Sequence, residues 1–131
     1  MTIWGMGQSP IKFYFLCMAL YVELPVFKAS YDLLLSVYQI TALLKRDYRY
    51  TIGERLKTET LELVILIYKA NSSQSKLDVI KDAREKIEVI RLLFRVLKDM
   101  KQISLKGLVR INEQIELVSK QLTGWQKSIK K

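Results

Sequence analysis

No histidine occurs anywhere in these 131 residues. That absence removes the commonest general base, the usual metal ligand, and every Ser-His or Cys-His nucleophile arrangement. Cysteine occurs once, at Cys17, so no intrachain disulfide can form, and zinc would lack both of its favoured ligand types. Proline occurs twice and glycine five times. Turns of an all-β fold need more of both, so the scarcity favours long helices. Gly53, Gly107 and Gly124 stand isolated, which excludes a glycine-rich phosphate loop. The longest unbroken apolar run, residues 13–22, is ten residues long, short of the roughly 20 that span a bilayer. Glu59 with Glu62, and Glu85 with Glu88, share helix faces at i, i+3, but di-iron bundles pair such carboxylates with histidine. They read as solvated surface acids paired with nearby Lys. No catalytic, metal or cofactor site is expected, and the chain is not expected to be an enzyme.

What is present is half hydrophobic and 27% charged, with 22 basic and 13 acidic side chains for a net charge of +9. Such a chain should fold as one small domain. Its positive excess suits a polyanion, most often nucleic acid, otherwise an anionic membrane surface or an acidic protein.

Residues 1–22 do not resemble the rest. They are expected to be an N-terminal extension, either a packed segment or a leader upstream of a true start at Met18, rather than an export signal: Lys12 is the only basic residue ahead of the apolar run, and no cleavage motif follows. Residues 23–131 form the domain proper. Pro25 suits the first position of helix 1, which should run over 25–44 with apolar rows Phe27, Tyr31, Leu34, Tyr38 and Leu33, Val37, Ile40, Leu44. Thr51 with Glu54 reads as a capping box opening helix 2. Ser75 and Ser104 should cap helices 3 and 4. In helix 3, Ile80, Ala83, Ile87, Ile90, Phe94 and Leu97 make one apolar seam, and Val89, Leu93, Val96 and Met100 a second. Four such helices with short loops predict an all-α, antiparallel up-down four-helix bundle. The second seams exceed what a bundle core requires and predict self-association into a homo-oligomer.

Arg84, Arg91, Arg95 and Lys98 fall on one stripe of helix 3 at 3.6 residues per turn. Lys101, Lys106 and Arg110 extend the positive field, so six Lys or Arg and one acid, Asp99, lie between Arg91 and Arg110. Arg91 and Arg95, at i, i+4, can present two guanidinium forks to successive phosphates. The alternative is that they pair with acids such as Glu59, Glu62, Glu113 or Glu116. Tyr48 and Tyr50, interleaved with Arg46 and Arg49, either stack on unpaired bases or cap the bundle core.

Several segments resemble the accessory variability determinant (Avd) family: Arg91-Leu-Leu-Phe-Arg95, Asp99-Met-Lys-Gln-Ile-Ser104, Gln121-Leu-Thr-Gly-Trp-Gln-Lys-Ser128, Arg49-Tyr-Thr-Ile-Gly-Glu-Arg55, and Tyr68-Lys-Ala-Asn71. The likeness covers residues 23–131 in order. It implies a cytoplasmic, non-enzymatic four-helix bundle that assembles into a basic, barrel-like homopentamer. It also implies binding to the reverse transcriptase of a diversity-generating retroelement and to its template RNA, in support of mutagenic cDNA synthesis. By the resemblance, Arg91 and Arg95 fall where basic residues contact nucleic acid or polymerase. Gly124 would let helices approach, and Trp125 would fill the bundle end. The rival by resemblance is the related bundle family encoded in intervening sequences of ribosomal RNA genes, acting as a protein-interaction module.

Overall fold

The computed structural model describes residues 24–70 and 72–130; the expectation for residues 1–22 lies outside them. Helix α1 spans Pro25–Ala42. Pro25 sits at its start, where a missing N–H costs nothing. An extended Lys45 separates it from α2, which runs over 46–70 as a helical turn Arg46–Tyr48, a π-helical turn Arg49–Gly53 and the α-helix Glu54–Ala70. Helix α3 is Lys76–Asp99 and α4 is Leu105–Lys130. No strand occurs among the described residues.

Helix 2 therefore starts before the expected capping box, and the box is not formed. The Thr51 hydroxyl donates back to the Asp47 carbonyl at 2.6 Å, and Glu54 pairs with Lys57 at 2.6 Å. The physical reason is that the chain is already helical when it reaches Thr51, so the N–H groups there are not orphans awaiting a cap. Gly53 permits the start: a Cβ there would meet the Tyr48 carbonyl oxygen at 3.2 Å and Leu44 Cδ1 at 3.4 Å. Helix α1 ends two residues short of the expected Leu44, yet Leu44 stays buried.

Ser75 occupies the N-cap position of α3, but its side chain makes no capping bond. Ser104 does cap α4, its hydroxyl accepting from the Gly107 N–H at 3.0 Å. Helix α3 stops in a Schellman turn: Gln102 N–H donates to Leu97 O at 2.9 Å and Lys101 N–H to Lys98 O at 3.0 Å. The left-handed residue this turn requires is Lys101, at φ 60°.

Each helix packs on its sequence neighbours, and α4 closes the ring against α1. With short connections between long neighbours, this is the contact pattern of an up-down bundle. The first seam of α3 is buried at every position, from Ile80 to Leu97. It meets Leu33 and Val37 of α1, Leu56, Leu63 and Ile67 of α2, and Ile111, Ile115, Val118 and Leu122 of α4 in one core. Each such side chain contributes about 1.5–3 kcal/mol by leaving water.

Polar groups inside are satisfied by their own helices: Ser30 donates to Phe27 O, Thr41 to Tyr38 O and Thr60 to Leu56 O. Glu59 departs from expectation. Its side chain is 8% exposed rather than solvated, because Arg55 (3.0 Å) and Lys86 (3.2 Å) close over its two oxygens. Lys86 reaches Glu62 as well, at 2.6 Å. That hydrogen bond, against the opposing pull of burial and with help from Glu59, holds the Lys86 ammonium above its usual range.

Candidate nucleic-acid interface

The basic stripe of α3 lies about a quarter turn from its buried seam, on the side that faces α4. Arg84 there donates to the Gln126 side-chain carbonyl. About two turns further on, Arg91 is pinned between Glu88 (3.4 Å) on its own helix and Glu116 on α4. Burial acts to lower its pKa, but the hydrogen bonds to Glu116 and Glu88 outweigh it and hold the guanidinium above its ordinary value. Arg95 is more open, its side chain 71% exposed, with Nε 3.3 Å from Asp99. Lys98 is half-buried and Lys101 exposed; neither has an ion pair among the described residues.

The fold joins some of the expected site residues and separates one. Arg91 and Arg95 share a groove between α3 and α4 with Leu92, Leu108 and Asn112. Lys98 and Lys101 continue from it toward the turn between those helices. Arg110 is elsewhere: it lines the groove between α4 and α1, with Ser36, Gln39 and Gln114. The alternative weighed for Arg91, pairing with an α4 acid, is present. With Arg91 33% and Glu116 60% exposed, such a pair is worth about 0.2–1 kcal/mol.

The two tyrosines differ in burial. Tyr48 is half-buried and packs against the core. Tyr50 is 62% exposed, with the Arg49 guanidinium 5.9 Å from its ring centre. Gly124 departs from the role the resemblance implied: it is exposed, and a Cβ would meet nothing within 4 Å. Trp125 does pack against the core. Among the described residues no three acidic or sulfur ligands are grouped to hold a metal, and no helix is long and apolar enough to cross a membrane.

Over its described residues the chain is thus a small all-α protein of four helices, with cations on one face of α3 and at the adjoining turn. A family model described as bAvd-like matches residues 26–129, from the second residue of α1 to the penultimate residue of α4. The chain belongs to that family, the bacterial accessory variability determinants, which are accessory, non-catalytic proteins of diversity-generating retroelements. No curated protein sequence matches it.

Proposed function

We propose that this protein binds the template RNA and the reverse transcriptase of a diversity-generating retroelement and supports mutagenic cDNA synthesis in the cytoplasm. Family membership supports the setting. The observation that carries the RNA contact is the α3–α4 groove, where Arg91 and Arg95 stand one turn apart with partners weak enough to yield to phosphate. The functional unit is the bundle of residues 23–131, with residues 1–22 an extension to it.

The protein works as a homo-oligomer, a ring of copies in the manner of the pentameric family barrel. Support comes from an apolar face across α1 and α2: Tyr31, Leu35, Tyr38, Leu61, Ile65 and Tyr68 are each 40–47% exposed. Surface of this kind favours association. Repeating the basic groove around a ring multiplies the phosphates neutralised per particle, so affinity should fall steeply with salt.

The test is RNA binding by Arg91→Ala combined with Arg95→Ala. Affinity should fall and the slope of log affinity against log salt should flatten, while the thermal unfolding midpoint stays close to that of the parent. An unchanged slope contradicts the assignment. Light scattering that finds a monomer at micromolar concentration contradicts the ring.

A further inference from the structure

Cations from two distant stretches of sequence meet at one end of the bundle. The Lys45 backbone N–H donates to the Gln102 side-chain oxygen at 3.4 Å across 57 residues. That contact sets the α1–α2 connection beside the α3–α4 turn. Lys45 and Arg46 from the first, and Lys101 and Lys106 from around the second, are exposed without an ion pair among the described residues; Lys98 is half-buried and equally unpaired. The nearby acids are fewer: Glu54 is engaged by Lys57 and Asp99 by Arg95, leaving Asp47. Tyr50, 62% exposed, is carried on the π-helical turn four residues after Arg46, with the Arg49 guanidinium 5.9 Å from its ring centre.

Two local features shape this end. Arg49 donates one Nη2 bond to Leu44 O at 3.1 Å, but its Nε is buried with no partner. Lys101 occupies the left-handed position of the Schellman turn, a place where glycine is at home and a side chain costs stability.

We propose that this bundle end is a second nucleic-acid site, taking an unpaired nucleotide of a single strand: its base stacks on Tyr50, and the flanking phosphates meet Lys45 and Arg46 on one side and Lys98 and Lys101 on the other. The proposal rests on the nucleic-acid reading above and adds a preference to it. A duplex offers phosphates but no free base face, so it would leave Tyr50 unused. An acidic protein would satisfy the lysines without the ring.

The experiment measures binding of the full-length protein to a labelled oligouridine strand and to a blunt RNA duplex of equal length. Tyr50→Ala should weaken single-strand binding roughly tenfold or more and leave duplex binding within about twofold; Tyr50→Phe should keep both. Lys101→Gly should raise the unfolding midpoint yet weaken single-strand binding and reduce its salt slope by about 0.7. A merely structural Lys101 would show the first effect without the second. If Tyr50→Ala changes neither RNA, or both equally, or if polyglutamate displaces the strand as well as unlabelled oligouridine does, this proposal is overturned. Loss of binding to both RNAs in Arg91→Ala/Arg95→Ala, with Tyr50→Ala silent, leaves the α3–α4 groove standing and removes only the bundle end. Absence of binding to either RNA by the parent protein removes both.

Discussion

If Arg91 trades Glu116 for a phosphate, neutralising Glu116 should tighten RNA binding. In the folded protein, Arg91 is 33% and Glu116 60% exposed on the side chain. A pair this wet is worth about 0.2–1 kcal/mol, and Glu116→Gln releases that amount to whichever anion takes its place. It also removes a negative charge beside the incoming phosphate. At roughly 8 Å and the dielectric of water, that repulsion is about 0.5 kcal/mol before screening. The two effects together predict RNA affinity about two- to tenfold higher at low salt, opposite in sign to the effect of Arg91→Ala. Fluorescence anisotropy of labelled single-stranded RNA measures it. Placing Glu116→Gln on the Arg91→Ala background should return only the repulsive share, because the pair no longer exists to be released. If Glu116→Gln binds RNA no better than the parent, or if its gain is the same with Arg91 absent, Arg91 does not trade Glu116 for phosphate.

Three further outcomes follow from the same geometry. Phe94 is fully buried in the shared core, so Phe94→Ala should cost about 3–5 kcal/mol in denaturant unfolding; a loss under about 1 kcal/mol would mean the core is assembled differently. Lys86→Met strips the buried Glu59 of one of two cations and should cost about 1–3 kcal/mol at neutral pH. Because folding raises the Lys86 pKa, with the Glu62 hydrogen bond as the largest cause, its contribution is whole below the ordinary lysine value of about 10.4 and fades as pH climbs through the folded value; a parent-minus-variant gap that stays constant into strong alkali would disprove the coupling. Gly124 is exposed within α4 with open space at its Cβ position, so Gly124→Ala should stabilise by about 0.5–1 kcal/mol in thermal melts; destabilisation would reveal a close contact at that bare backbone.

Where periodicity alone sets the answer, the amino-acid pattern was enough. Every residue of the first α3 seam is buried. Local capping was legible at Ser104 and misleading at Thr51. The start of α2 depends on Gly53 seating the π-turn against Leu44 and Tyr48, a tertiary contact with no local signature. The basic stripe was legible because it lies on one helix. Which groove Arg110 enters was not, since that depends on the rotation of α4 relative to α3 and α1. Glu59 looked solvated because its cover comes partly from Lys86, on the next helix. The meeting of the two turns through Lys45 and Gln102 likewise has no counterpart in sequence spacing.

The most direct test of the central claim, that this bundle holds a nucleic-acid chain by its phosphates, is the salt dependence of RNA binding by the unmodified protein. The account predicts saturable binding to single-stranded RNA in dilute buffer, with log affinity falling linearly against log salt at a slope equivalent to several phosphates, about 0.7 per contact. Absence of binding at low salt, or affinity indifferent to salt, would contradict it.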